Sequence, residues 1–191
     1  MRRDLLTSVI AVVVLTVLLG IAYPLVVTGI GQVAFNHKAD GSLVKVNGKL
    51  VGSKLIGQDF KRDPRYFQAR PSTATHYSAD ATAFTNLGPN SKDALKTFRA
   101  NLAAYRKFEG LSHSDRVPVD AVTSSGSGVD PQISVANAHI QAHRIASVRG
   151  LPLAQVNDLI DKHTDGRFIG IFGEPGVNVL ELNLALNSIK Q

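Results

Sequence analysis

From Leu5 to Val27 the chain reads LLTSVIAVVVLTVLLGIAYPLVV, with no charged side chain and only Thr7, Ser8, Thr16 and the Tyr23 phenol as polar breaks. As a helix rising ~1.5 Å per residue, its ~23 residues reach ~34 Å, enough to cross a ~30 Å hydrocarbon core. Hydroxyls are tolerated in such a rod because they can bond the carbonyl one turn back. The expectation is therefore one membrane-anchoring helix, with Leu5, Val14, Leu18 and Tyr23 among its anchoring residues, followed by one polar domain.

Arg2 and Arg3 precede the rod and are offset only by Asp4. Over the ~15 residues after Val27 the only basic residue is Lys38, so the positive-inside rule places the amino terminus in the cytoplasm. Residues 1–4 are then cytoplasmic, 5–27 cross the membrane, and 28–191 form an extracytoplasmic domain. A cleaved signal peptide is the alternative, with a small-x-small site at Gly20-Ile21-Ala22. The run is longer than a signal core of ~7–15 residues and continues through Val27, which favours a retained anchor.

The remainder suits one domain with a real core. With no cysteine, disulfides and thiolate zinc sites are excluded. The net charge of +6 suits anionic lipid headgroups or an acidic partner. The basic residues are scattered, without a Lys/Arg run or interleaved aromatics, so nucleic acid is not an expected partner.

Taken in order, Gly29 and Gly31 read as the exit from the bilayer, with Phe35 suited to the interface. Asn47-Gly48 between Leu43–Val46 and Lys49–Val51 predicts a hairpin with a type I′ turn. Gly52 to Pro89 has no persistent period yet holds Phe60, Tyr66, Phe67, Tyr77 and Phe84. A long aromatic-rich loop of this kind carries function or lies against a partner. Ser91 predicts the cap of a helix to about Phe108, ended by Gly110, with Leu95, Phe98, Leu102 and Tyr105 as a stripe. Val117–Val122 reads as a short strand. Ser134 predicts a helix to about Arg149, and Pro152 opens a third with Leu153, Val156, Leu159 and Ile160 on one face. Phe168–Phe172 reads as a buried strand, and Asn178 with Glu181 as a capping box for a helix to Ile189. The fold class is α+β (mixed α/β), anchored by one amino-terminal transmembrane helix.

Several constellations bear on chemistry. Arg62, Arg65 and Arg70 could grip a carboxylate or phosphate, or be solvated loop cations. The small-residue loop Thr123–Gly128 resembles a phosphate cradle but lacks the Gly-Lys-Ser/Thr ending of a P-loop. His139 and His143 share a helix face at metal-ligand spacing, without a Glu after His139 or a third ligand at a telling distance. Ser125 or Ser127 with Asp130 and a histidine can be written as a triad, but no G-x-S-x-G elbow supports it. A tethered hydrolase and an anion-binding domain thus stand as alternatives, and no catalytic residue or bound metal is expected.

Specific blocks span nearly the whole chain: TVLLGIAYPLVVTGIGQVAF at Thr16–Phe35, ADGSL at Ala39–Leu43 and GSKLIGQDF at Gly52–Phe60. YFQARPSTATHY at Tyr66–Tyr77, TSSGSGVDPQIS at Thr123–Ser134, RIASVRGL at Arg144–Leu151 and GEPGVNVLELNLALN at Gly173–Asn187 continue the series. Together they resemble the KdpC family, a subunit of the bacterial potassium-transporting Kdp ATPase. The pair His139 and His143 is a departure from that family, which favours a structural role for it.

The resemblance implies a non-catalytic accessory subunit of an ATP-driven potassium uptake complex in the cell inner membrane. Its partners would be the channel-like KdpA, the P-type pump subunit KdpB and the small KdpF. It also implies a catalytic-chaperone role in raising KdpB's affinity for ATP, the associated cofactor, with the glutamine proposed to contact nucleotide falling on Gln141. If Arg2 and Arg3 are cytoplasmic, however, Gln141 lies outside and cannot meet cytosolic ATP. Direct contact needs the opposite topology, or the effect is allosteric. The domain is expected to cap KdpA's outer mouth through the Tyr66–Tyr77 loop, with Tyr66, Phe67 and Arg70 in contact. Gly20 and Ala22 are expected to let a partner helix pack closely against the anchor.

Overall fold

A computed structural model of the chain describes residues 2–72, 76–78, 81–82 and 85–189, and divides into two compact units, Met1–Val51 and Gly52–Gln191. Residues 73–75 of the expected contact loop, and Phe84 among its aromatics, lie outside the described residues.

In the first unit, α1 (Arg2–Leu15), a π-helical stretch (Thr16–Ala22) and α2 (Tyr23–Ala39) run on without interruption. These 38 residues are long and apolar enough to cross a membrane. Thr7 and Ser8 donate their hydroxyls to Arg3 O and Asp4 O, one turn back. The wide turn has a local cause. Pro24 has no N–H for the Gly20 carbonyl, and Tyr23 N–H reaches back five residues to Leu18 O.

The helix runs on through Pro24, Gly29 and Gly31. The π-helical turn before it accommodates Pro24 inside the continuous helix, and α2 continues to Ala39 with a kink at Phe35 (φ −138°, ψ 34°). Gln32 ties the last turns together: its amide nitrogen donates to Asp40 Oδ1 and its oxygen accepts from Asn36. The hairpin β1 (Leu43–Val46) and β2 (Lys49–Ser53) follows, turning at Asn47 (φ 51°) and Gly48 (φ 78°) as a type I′ turn requires.

The second unit contains α3 (Lys92–Glu109), a 3-10 turn (Val119–Ala121), β3 (Gln132–Ser134), α4 (Val135–Arg149) and α5 (Leu153–Lys162). After these come β4 (Thr164–Asp165), β5 (Gly176–Asn178) and α6 (Val179–Ser188). Its helices begin where the caps predict: Ser91 accepts from Ala94 N, Ser134 from Asn137 N and Asn178 from Glu181 N. The three strands form an antiparallel sheet in the order β3-β5-β4, with Ile133 opposite Val177 and Thr164 also opposite Val177. Because β3 runs straight into α4 and β5 into α6, pairing these strands brings the starts of the two helices together. Ile133, Ala138, Ala142, Ile145, Val156, Ile160, Val177, Leu182 and Leu186 fill the space between sheet and helices. Mixed helix and strand behind an apolar amino-terminal helix is the expected fold class.

Two predicted strands are not strands. Val117–Val122 contains the 3-10 turn instead, because Pro118 cannot donate to a ladder and Asp120 bonds the start of α4. Phe168–Phe172, read as buried, is an exposed hairpin turn. Phe168 and Phe172 exchange backbone bonds of 2.8 and 3.0 Å, while Ile169 (φ 53°) and Gly170 (φ 74°) reverse the chain. Phe168, Ile169, Ile171 and Phe172 are between 64% and 72% exposed.

Candidate functional site

The aromatic-rich loop is anchored in the second unit by side chains of α4 and α6. Five consecutive carbonyls, Pro64 to Gln68, each accept from one of four residues on those helices. Arg144 donates from Nη1 to Pro64 O and to Tyr66 O (3.1 Å), and Arg149 donates from Nε to Arg65 O (2.8 Å). Asn183 donates to Phe67 O (2.9 Å) and accepts from Phe67 N (2.9 Å). Gln141 donates to Gln68 O (3.1 Å) and accepts from Gln68 N (2.7 Å). Two carboxamides thus replace the neighbouring strand that an extended backbone would otherwise pair with, satisfying groups that burial would leave unpaired.

Gln141 is 1% exposed, and its amide has no capacity left over. Besides both Gln68 bonds, Nε2 donates to Asn137 Oδ1 (3.0 Å) and Oε1 accepts from Arg144 Nη2 (3.1 Å). Two donors and two acceptor sites are a primary amide's full inventory. Asn137 links outward to Tyr105, whose hydroxyl donates to Asn137 Oδ1 (2.7 Å), and to Asp120, which accepts from Asn137 Nδ2 (2.9 Å). Asp120 also accepts from the Ser134 backbone and hydroxyl, both at 2.8 Å.

Arg144 anchors the charge in this network. Its Nε donates to Glu109 Oε2 (3.0 Å) and its guanidinium lies 4.5 Å from the Phe108 ring centroid. The Glu109 side chain has no exposed surface. Burial pushes its carboxyl above the ordinary value, and Arg144 partly restrains the rise. Burial also raises the Tyr105 phenol, helped by Glu109 and Asp120. A half-open cavity of about 400 Å³ lies beside these groups, lined in part by Gln68, Tyr77, Tyr105, Phe108, Asn137 and Gln141. Tyr77 closes one side by donating to Arg70 O, and burial pushes its phenol up to about 12.

The other expected site residues are dispersed. Phe67 is fully buried in the core, so its ring has no face for a partner, whereas Tyr66 is half-exposed beneath Arg149 (5.0 Å to the ring centroid). Arg70 donates to Thr123 O (3.4 Å), Ser124 O (3.0 Å) and Asp130 Oδ2 (3.3 Å). The Thr123–Gly128 loop therefore turns two carbonyls toward a cation, the reverse of an anion cradle. Arg65 pairs with Asp63, whose carboxyl it holds at about 2, and Arg62 lines the cavity. Ser125 Oγ accepts from Gly128 N (3.0 Å) and Asp130 N (3.4 Å), holding its own turn.

His139 bonds Asn157 Oδ1 through Nδ1 (3.1 Å), and His143 is exposed. Among the described residues there is no group of three or more His, Cys, Asp or Glu placed to hold a metal. In the first unit Leu5, Val14, Leu18 and Tyr23 are exposed along the apolar helix, and Gly20 and Ala22 lie in its π-helical stretch.

Sequence reasoning missed Asn183, Arg144 and Arg149, three of the four gripping residues. The available signal was Asn183 at i+4 from Val179 and i−3 from Leu186, a carboxamide on an otherwise apolar helix face.

Comparison with known proteins agrees along the whole length. Residues 5–188 match the family model described as "KdpC: K+-transporting ATPase, c chain". Proteins named "Potassium-transporting ATPase KdpC subunit" are similar throughout. That of Mycobacterium tuberculosis (strain ATCC 25618 / H37Rv) is 48% identical over 190 residues, covering 99% of this chain and 100% of the relative. That of Koribacter versatilis (strain Ellin345) is 44% identical over 188 residues, or 98% and 95% of the two chains. That of Sorangium cellulosum (strain So ce56) is 46% identical over 192 residues, covering both chains fully. The chain belongs to the KdpC family, the c chain of the K+-transporting ATPase.

Proposed function

We propose that this chain is the non-catalytic accessory subunit of a P-type, ATP-driven potassium uptake complex with KdpA, KdpB and KdpF. The amino terminus is cytoplasmic and the domain extracytoplasmic, capping the outer mouth of KdpA. Contact falls on the outward side of the Tyr66–Tyr77 loop, including Tyr66 and the edge of Arg70, and on the uncharged turn Phe168–Phe172. The anchor packs against a partner helix at Gly20 and Ala22, where small side chains permit close approach.

One observation carries the mechanism: every hydrogen-bonding group of the Gln141 amide is engaged by the chain itself. A nucleotide would have to displace the bonds that hold the loop. A chaperone effect on ATP affinity at KdpB then operates indirectly, by favouring one conformation of the pump over another.

Gln141→Leu and Asn183→Leu in the assembled complex separate the possibilities, since each removes one carboxamide clamp but only Gln141 is a nucleotide candidate. Both should lower subunit recovery, and any change in apparent ATP affinity should be shared. An ATP defect confined to Gln141→Leu, with assembly intact, would refute the indirect route. Sidedness is tested independently. The chain has no cysteine, so the exposed Ser147→Cys supplies one thiol. A membrane-impermeant reagent should label it in intact cells, and protection until lysis would overturn the orientation.

A further inference from the structure

Lys92, Lys96, Arg99, Arg106 and Lys107 are scattered in the sequence but gathered by α3. At ~100° per residue they fall within an arc of ~100° around Ala103. The opposite side of the helix faces the domain: Ala94 is buried, Asn101 donates to Val122 O (2.9 Å) and Tyr105 to Asn137 Oδ1 (2.7 Å). The cations therefore point outward.

Lys92, Lys96, Arg99 and Lys107 are exposed and have no ion-pair partner among the described residues. Arg106 is half-buried and donates from Nη2 to Asp115 O (3.0 Å). Two acidic residues border the row, Asp93 at its edge and Asp115 beside Arg106, and the exposed Arg116 adds a further cation. Between the cations, Leu102, Ala103 and Leu111 line a shallow groove of about 420 Å³. Apolar stems and charged heads so arranged suit an interface where one side is greasy and the other ionic.

The row extends over ~22 Å of helix, too long for a single small anion and suited to a surface of repeated negative charge. Such a surface is already at hand, because the apolar helix of the same chain enters a membrane. We propose that the basic face of α3 docks the domain on the anionic phospholipid headgroups of that membrane. The proposal rests on reading the amino-terminal helix as a retained anchor.

The test uses the full chain with Ala103→Cys, at the centre of the face, carrying a nitroxide label. It is reconstituted in vesicles of phosphatidylcholine alone or with about 30 mol % phosphatidylglycerol. Retention after an alkaline wash reports the anchor, and collision with a water-soluble relaxing agent reports docking. The chain should stay in both vesicles, with the label protected at least about threefold by phosphatidylglycerol, and with protection lost near about 0.5 M salt. Each cation near an anionic surface contributes about fivefold, so Lys96→Gln with Arg99→Gln should lower the docked-to-free ratio about 25-fold.

Equal accessibility in the two vesicles, with the chain retained, overturns docking and leaves the anchor standing. Loss of the chain on washing removes the anchor reading and the proposal with it. Protection in neutral vesicles only when KdpA, KdpB and KdpF are added makes the face a protein interface and overturns the lipid assignment.

Discussion

Arg144 holds two loop carbonyls, the Gln141 amide and the Glu109 carboxylate at once, so its loss acts on several buried groups together. Removing one partner of a buried ion pair typically costs about 3–5 kcal/mol, because the remaining charge is uncompensated. Arg144→Met should destabilise the protein by about that amount near neutral pH. The sign of the pH dependence follows from Glu109. Its folded-state value lies above the ordinary 4.5, so folding favours the protonated carboxyl. The stability linked to it is present below the ordinary value and is lost as pH rises through the folded one. Without Arg144 the folded value rises further, and the deficit relative to the parent should shrink as the medium is acidified. Urea midpoints of variant and parent, compared near neutrality and about two pH units lower, check this; an equal deficit at both would contradict the assignment.

Among the elements, helix starts were legible because a cap is a local event. Ser91, Ser134 and Asn178 each needed only a side-chain acceptor three residues before an orphan N–H. The strands were not. Gln132–Ser134 and Gly176–Asn178 have three residues each, too few to display a period, and are strands only because chain ends far apart in sequence meet. Phe168–Phe172 misled in the other direction, since an apolar run looks buried until Ile169 and Gly170 are seen turning it back on itself. Three of the loop's four anchors were hidden for the same reason: the partners of residues 64–68 are up to 116 positions away. The caps also differ in predicted weight. Ser91→Ala loses one part-buried cap bond and should cost about 1 kcal/mol. Ser134→Ala also abandons Asp120 Oδ1, so about 2 kcal/mol is expected. Denaturant unfolding of the two variants in one detergent checks the ranking, and equal costs would deny Asp120 its part.

At the scale of the whole molecule, the second unit buries its sheet and helices conventionally yet leaves one uncharged turn in solvent. Ile169→Ser and Ile171→Ser remove side chains that are both 72% exposed, so stability of the free subunit should change by no more than about 0.5 kcal/mol. Recovery of partner subunits by affinity purification should nonetheless fall, whereas undiminished recovery would show that the turn makes no contact in the complex. The gripped loop has a different consequence, for heredity. Asn183, Gln141, Arg144 and Arg149 hold carbonyls and N–H groups, which every amino acid but proline presents alike. Within the loop, Gln68 Nε2 adds bonds to Asp63 O (3.0 Å) and Tyr66 O (3.1 Å) and Arg65 pairs with Asp63, while a single exchange of Asn183 for aspartate removes a donor that no change in the loop can restore. Ancestry should therefore be written as firmly in the helices that hold the loop as in the loop they hold.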